Sequence, residues 1–254
     1  MIFEGKNKIS IRINKGWFMS ERMKRKKEER RNEILDIAEE MIAKKGIKGM
    51  TMKEVAKEAD VATGTLYLYF KNKNSLCAAV NARISKQMRV MAEERLVGCK
   101  TACEKFKATT AAGLDFRSKY PDKWRALNEL FLVQYDIPDE NIDFTYSTNK
   151  CNPDLYDFQG ILDENIVDLL NEDKKMLQLT ADKYDQGIEE CSIRPELDIL
   201  PTIIFIRMAF FAALDPPPYV QRMLKMGGIS QEHFQEVSKD LIRHSVRVKH
   251  SEEK

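Results

Sequence analysis

The sequence predicts an all-α protein with a helix-turn-helix near its N-terminus. Apolar residues recur at helical spacing in the first hundred residues, and no pattern typical of strands interrupts the body from about residue 100 onward. A composition of 43% hydrophobic and 32% charged residues suits a helix-rich globular chain. Its 254 residues are enough for one large domain or two modest ones.

The net charge of +2 conceals an uneven distribution along the chain. Residues 1–100 carry 23 Lys and Arg against 13 Asp and Glu, whereas residues 101–254 carry 19 against 27. A basic front half and an acidic rear half are typical of a nucleic-acid-binding head on a body that does not touch nucleic acid. The alternative is a drift of charge without functional meaning.

Residues 1–19 form an extension that stands apart from the helical pattern. Ile9, Ile11 and Ile13 alternate as in a short strand, although nothing nearby could pair with them. Met19 looks like a natural start of the chain. We interpret residues 1–18 as either a misassigned upstream start or a disordered arm.

The first helix of the head is predicted to end near Lys45, with Gly46 as its left-handed cap. The run of basic residues between Arg22 and Arg31 precedes its apolar part, and it is either a solvated helix start or a group that neutralises phosphates or enters a minor groove. The residues predicted to face inward are Ile34, Leu35, Ala38, Met41 and Ile42.

The next helix begins at Thr51, which forms a capping box with Glu54. Met50 and Val55 occupy the positions of a hydrophobic staple. The inner face consists of Val55, Ala56 and Ala59, and Ala59-Asp60-Val61 then breaks the helix.

A second short helix opens at Thr63-Gly64-Thr65, with Leu66 and Phe70 predicted to face inward. An outer face that contains two tyrosines and a leucine is poorly solvated but fits a DNA major groove, where hydroxyls and apolar groups meet base edges and thymine methyls. Two short helices joined by a tight turn are the helix-turn-helix arrangement. The outer face comprises Thr63, Gly64, Thr65, Tyr67, Leu68 and Tyr69.

The run ADVATGTLYLYFKNKNSL (residues 59–76), with the preceding RNEILDIAEEMIAKKGIKGMTM, resembles the DNA-binding domain of the TetR (tetracycline-repressor-like) family. Two positions depart from the family pattern: Asp60 stands where the turn usually has glycine, and Ala62 where a serine often caps the recognition helix. Either Thr63 takes over that cap or the helix starts more loosely.

The resemblance implies a DNA-binding role for nine residues. A side chain is absent at Gly64, so the backbone can approach DNA closely. Lys53 is expected to read guanine or to be a solvated lysine, and Lys73 matches the family's phosphate-binding lysine. The complete set is Thr51, Lys53, Thr63, Gly64, Thr65, Tyr67, Leu68, Tyr69 and Lys73.

The body is predicted to contain helices at 100–119, 122–135, 153–191, 196–214 and 231–247. The segment GIEECSIRPELDILPTIIFIRMAFFAAL (residues 187–214) also resembles the family, in which such a helix packs against its counterpart in a second subunit. The domains are therefore predicted as residues 1–19 (extension), 20–76 (helix-turn-helix) and 77–254 (effector binding and dimerisation). The expected dimer surface is the helix Ile199–Leu214 together with Phe234, Val237, Leu241 and Val248, a stripe that could equally be monomer core.

The resemblance further implies a homodimeric repressor on a palindromic operator, released by an unidentified small molecule. Arg207 lies in an apolar helix and must find a partner, either an acidic residue across the interface or an anionic ligand. The expected pocket residues, each of which could instead be plain core, are Trp124, Phe131, Tyr135, Met176, Phe205, Arg207, Met208 and Phe211.

The sequence argues against an enzyme, because it has no glycine-rich phosphate loop, nucleophile elbow or clustered metal-ligand motif. We expect no cofactor and no metal, although Cys99 and Cys103 could share a helix face. Five cysteines do not form a disulfide framework, and with no convincing membrane segment the expected location is the cytoplasm. An architectural DNA-binding protein without an effector remains the alternative.

Overall fold

The computed structural model describes residues 6–135 and 163–248, with side chains from residue 21 onward. The predicted all-α fold is confirmed: these ranges contain no strand, only an isolated bridge between Ile193 and Arg247. The helices are α1 (Lys6–Lys45), α2 (Met52–Glu58), α3 (Thr63–Tyr67), α4 (Lys73–Leu96), α5 (Ala102–Lys119), α6 (Pro121–Leu130), α7 (Glu164–Glu189), α8 (Ile199–Leu214), α9 (Pro218–Met226) and α10 (Gln231–Val246).

The backbone is already helical from Lys6, so the alternating Ile9, Ile11 and Ile13 lie in α1 and not in a strand. Without a partner strand, a helix is the conformation that satisfies the backbone hydrogen bonds of this segment internally. Residues 1–5 lie outside the described residues. The two interpretations of residues 1–18 stay untested.

The chain divides into two compact units. The first falls within Met1–Ser85, Arg117–Ile137 and Phe158–Leu170, and the second within Lys86–Phe116, Pro138–Asp157 and Asn171–Lys254. The first unit thus includes α6 in addition to the helix-turn-helix. The domain boundaries after residues 19 and 76 stay predictions.

In the first unit, α1 packs against α2 and α6, and α2 packs against α3. All five apolar residues predicted for the inner face of α1 are buried. The helix ends at Lys45, and Gly46 takes φ 70°, as predicted for a left-handed cap. The contact with α6 includes an ion pair of 3.5 Å between Lys123 Nζ and Glu39 Oε1.

Two predicted helices of the body are shorter in the structure. The helix predicted over 122–135 ends at Leu130. Phe131 and Leu132 are 39% and 83% exposed, so these apolar side chains do not hold a further turn in the core. The long helix predicted from residue 153 is described only from Glu164, and residues 153–162 lie outside the described residues.

The short helix α9 is not among the predicted helices, and three prolines, residues that ordinarily end a helix, precede its Tyr219. Pro218 occupies the first turn of α9, where a missing N–H costs nothing. The prolines therefore end one helix and begin another. α8 and α9 meet at 62°.

The second unit has an apolar core to which α7, α8 and the α7–α8 loop contribute, and α8 packs against α10. Its buried members are Ala181, Tyr184, Ile193, Ile199 and Ile203. Among the described residues, no single helix is long and apolar enough to cross a membrane, although the bent pair of α8 and α9 reaches that length and composition together.

Candidate DNA interface

The start of α2 is fixed by the predicted capping box. The Glu54 N–H donates to Thr51 Oγ1 at 3.2 Å, and the Thr51 N–H donates to Glu54 Oε2 at 3.0 Å. The Thr51 hydroxyl also donates to that carboxylate and lowers the pKa of Glu54. Met50 and Val55, the predicted staple, are fully buried. A phosphate at Thr51 would therefore meet the amides of the first turn, since the hydroxyl proton is already engaged.

The turn between the two helices depends on Asp60, which takes φ 50°. Aspartate adopts this left-handed conformation more readily than most residues. The Val61 N–H donates to the Ala56 carbonyl at 3.0 Å and closes the turn. The departure from the family's glycine is thus accommodated without loss of the motif.

The recognition helix α3 is held from inside by Leu66 and Phe70, both fully buried as predicted. The guanidinium of Arg31 lies 5.5 Å from the centre of the Phe70 ring. The N-cap is Ala62, with no side-chain hydrogen bond, so Thr63 does not take over the cap. Of the two alternatives, the structure has the looser start.

The outer face of α3 is available for contact. Tyr67 is 49% exposed and Leu68 80% exposed, although α3 ends at Tyr67 and Leu68 is its C-cap. A Cβ built on Gly64 would meet nothing within 4 Å, so the protein's own packing does not require glycine there. Thr63 and Gly64 are exposed, while Thr65 and Tyr69 are half-buried.

The two candidate lysines lie at different helices. Lys53 is exposed in the first turn of α2, and Lys73 is half-buried at the start of α4. Asn72 caps α4, because its Oδ1 accepts from the Ser75 N–H at 2.8 Å. Sequence reasoning missed this cap, although an asparagine immediately before a helix is the signal for it.

The basic run of α1 divides into two groups. Residues 21–30 are exposed, and three of their cations pair with glutamates of the same helix, Lys24 with Glu21, Arg25 with Glu29 and Arg30 with Glu33. Arg31 instead turns inward and donates to Asn165 Oδ1 at 2.7 Å. Asn165 in turn donates to Ser75 Oγ, and Ser75 Oγ donates to Asp163 Oδ1, both at 2.9 Å. Nothing in the sequence signalled this network, since its partners are up to 134 residues apart.

The predicted effector residues fall in both units. Trp124, Phe131 and Tyr135 belong to the first unit, and the other five belong to the second. In the second unit, Met176, Arg207 and Phe211 are half-buried, whereas Phe205 and Met208 are 64% and 68% exposed. Arg207 NH2 lies 3.7 Å from Asp173 Oδ1 of α7, so an acidic residue of the same chain faces this cation.

The structure does not place Cys99 and Cys103 on one helix face, because Cys99 precedes α5 and Cys103 lies within it. The Cys99 thiol donates to the Arg95 carbonyl at 3.4 Å. Within residues 6–135 and 163–248, no cluster of three or more His, Cys, Asp or Glu could hold a metal ion.

The fold and the exposed recognition helix define a helix-turn-helix DNA-binding protein. The model of the tetR family of bacterial regulatory proteins matches residues 34–80, so this segment is a DNA-binding domain of the tetR type. An uncharacterised HTH-type transcriptional regulator of Haemophilus influenzae is 27% identical over 157 residues, or 58% of this chain and 79% of that protein. The repressor KstR2 of Rhodococcus jostii is 24% identical over 73% of this chain and 78% of its own length.

Solved structures share the fold over most of the chain. The ketosteroid regulator KstR2 of Mycobacterium tuberculosis superposes with a TM-score of 0.52 and 16% identity, covering 87% of this chain and 96% of that one. A regulator from Saccharomonospora viridis in complex with choline gives a TM-score of 0.57 and 17% identity, covering 87% and 100%. Both relatives are named as transcriptional regulators, which agrees with the prediction that this chain is not an enzyme.

Proposed function

We propose that this protein is a dimeric repressor that binds a palindromic operator and leaves it when a small effector binds. The observation that carries the proposal is the outer face of α3, where Tyr67 and Leu68 are exposed while Leu66 and Phe70 are fully buried. The exposed side chains of Tyr67 and Leu68 lie beside these buried residues and add nothing to the apolar core of the head. They suit a surface that meets base edges.

Each exposed residue has a distinct role in this interface. Leu68 would contact thymine methyls, and the Tyr67 hydroxyl would bond to a base or a phosphate. Lys53 would reach the O6 and N7 acceptors of guanine from α2. Lys73, with the hydroxyls of Thr65 and Tyr69, would fix the register on the phosphates. Thr51 and Thr63 complete the proposed set through the first turns of α2 and α3.

Dimerisation is proposed because one recognition helix reads too few bases, and helix-turn-helix dimers place two such helices about 34–36 Å apart. In the second unit, α8 exposes Ile204, Phe205 and Met208 at 47%, 64% and 68%. The adjoining α10 exposes Val237 and Leu241 at 42% and 66%. Phe234 and Val248, the ends of the predicted stripe, are half-buried. An apolar surface of this kind supports an interface with a second copy.

The dimer is tested by Met208→Glu combined with Leu241→Glu, which would bury two unpaired carboxylates in the interface. Light scattering after gel filtration should give the mass of a monomer for this variant and of a dimer for the wild type. Glu236→Lys, at an exposed position of α10, is the control and should remain dimeric. A double variant that keeps the dimer mass contradicts the proposed surface.

The effector is proposed from the size of the body and from similar proteins. One relative is named a repressor, and one solved structure with this fold holds choline. Effector binding must differ between the DNA-bound and free states to release the operator. The cytoplasm is the proposed location, because it holds the DNA and keeps cysteines reduced.

The operator is tested by fluorescence anisotropy with DNA from upstream of the protein's own gene and a scrambled duplex. We expect a preference of about a thousandfold, the lower end for specific binding. Equal affinity for all duplexes, with strong salt dependence alone, would favour the architectural alternative.

A further inference from the structure

Lys183 of α7 is a buried cation in the interior of the second unit, where its side chain is only 4% exposed. An ammonium taken out of water normally requires a carboxylate or a comparable partner. Among the described residues, no carboxylate oxygen comes within 4.0 Å of its Nζ, whereas Lys175 of the same unit pairs with Glu172 at 2.7 Å.

The contacts that Lys183 does make are neutral. Its Nζ donates to Thr109 Oγ1 at 3.2 Å and lies 5.5 Å from the centre of the Phe106 ring, both residues being on α5. An ammonium has three N–H donors, and a hydroxyl and a ring face are weak partners for a full charge. Thr109 is itself committed as a donor to the carbonyls of Lys105 and Phe106.

The charged groups nearest to Lys183 do not neutralise it. Burial lowers the pKa of Lys183 to about 8; Asp182 acts to raise it and Lys105 to lower it. Asp182 is exposed, and its carboxylate accepts from the Gln178 amide at 2.6 Å. The side chains that α8 contributes to the adjoining core are isoleucines, which carry no charge.

We propose that Lys183 and Thr109 form the anion-recognition point of the effector site, and that the effector is a small carboxylate with an apolar body. A carboxylate would give the ammonium its missing partner, and the Thr109 hydroxyl would leave its two carbonyl acceptors to donate to the second oxygen. The apolar body would lie against Phe106 and Tyr184, whose rings meet edge to face at 5.0 Å. This inference rests on the proposed function for its regulatory meaning, but not for the binding itself.

The proposal has a defined pH dependence. A bound carboxylate raises the pKa of Lys183. At pH values above about 8, the pKa of Lys183 in the unliganded protein, binding is therefore accompanied by uptake of a proton. Affinity is therefore constant well below that pH and falls above it. Between pH 7 and pH 9.5 we expect binding to weaken by about 30-fold, as for one lysine whose pKa rises on binding.

The test is isothermal titration of the full-length protein without DNA, with octanoate and benzoate as probes and octylammonium as the cation of matched length. Lys183→Met keeps the side-chain length and removes the charge, and it replaces a desolvated cation by an apolar group, so the fold should be retained. Lys107→Met, at an exposed position on α5, is the matched control.

We expect at least one carboxylate to bind the wild type and Lys107→Met with equal affinity. The same carboxylate should bind Lys183→Met at least tenfold more weakly, and its affinity for that variant should not depend on pH. Octylammonium should not bind. The proposal is overturned if neither carboxylate binds, or if Lys183→Met binds a carboxylate as tightly as the wild type. If that variant does not fold, the pH profile of the wild type is the test, and an affinity that does not fall between pH 7 and pH 9.5 overturns the proposal. Carboxylate binding that leaves operator affinity unchanged keeps the site and refutes its role as the effector site.

Discussion

Replacing Gly64 by alanine separates the DNA interface from the stability of the fold. A Cβ at this position meets no atom of the protein within 4 Å, and the residue lies in the first turn of α3. Alanine in a helix is favoured over glycine by about 0.5–1 kcal/mol, so stability should hold or rise by up to that amount. In a chain of this size, the melting temperature should rise by no more than about 2–4 °C.

The same methyl group should weaken DNA binding, because it occupies the space that the backbone needs to approach the groove. A cost of about 1 kcal/mol in each half-site, the lower end for a disturbed base-pair contact, gives about 2 kcal/mol per dimer and roughly 30-fold weaker binding. Fluorescence anisotropy on the operator and thermal unfolding of the same preparation give the two quantities. Gly227→Ala, in the second unit, is the glycine-to-alanine control and should leave DNA affinity unchanged.

An unchanged operator affinity for Gly64→Ala would refute the placement of α3 against DNA. Weaker binding together with a lower melting temperature would also contradict the reasoning, because the structure offers no clash within the protein to explain it.

Three further variants or reagents test other parts of the account. Lys53→Ala should weaken operator binding by about 1–3 kcal/mol per half-site and relax the preference at one base pair, whereas a uniform loss on all duplexes would show a phosphate contact instead. Asn165→Ala leaves buried donors and acceptors unpaired and should lower the free energy of unfolding in urea by about 1–3 kcal/mol. The control Asn32→Ala, at an exposed position, should change that free energy by no more than about 0.5 kcal/mol. Equal effects of the two variants would show that the buried network contributes nothing to stability. Because burial raises the pKa of Cys77 to about 11, iodoacetamide at pH 8 should modify the exposed Cys191 and spare Cys77 until the protein is unfolded; rapid native labelling of Cys77 would contradict its burial.

The head was predictable because its signals are local. The capping box at Thr51 and the left-handed Gly46 follow from residues within a few positions of one another. Leu66 and Phe70 are four residues apart, and both are buried as helical spacing predicts, although α3 ends at Tyr67 and Phe70 follows it. The sequence could not decide how α3 begins, because Thr63 could have capped the helix in place of Ala62. The structure has Ala62 as an N-cap without a side-chain hydrogen bond.

The body was less predictable because its decisive contacts join distant residues. The pairing of Arg31 with Asn165 and the burial of Lys183 beside Thr109 leave no periodic signal in the sequence. The helix α9 was missed for a different reason: proline is read first as a breaker, and Pro218 shows its other role as the first residue of a helix.

The most direct test of the central claim is selection of bound sequences from a random pool of double-stranded DNA by the purified full-length protein. The account predicts an enriched palindrome whose half-site centres lie about 10–10.5 base pairs apart or at a multiple of that spacing. It also predicts that Tyr67→Ala abolishes the enrichment, since this side chain is half exposed on the outer face of α3. An unenriched pool, or an enriched motif that Tyr67→Ala binds equally well, would contradict it.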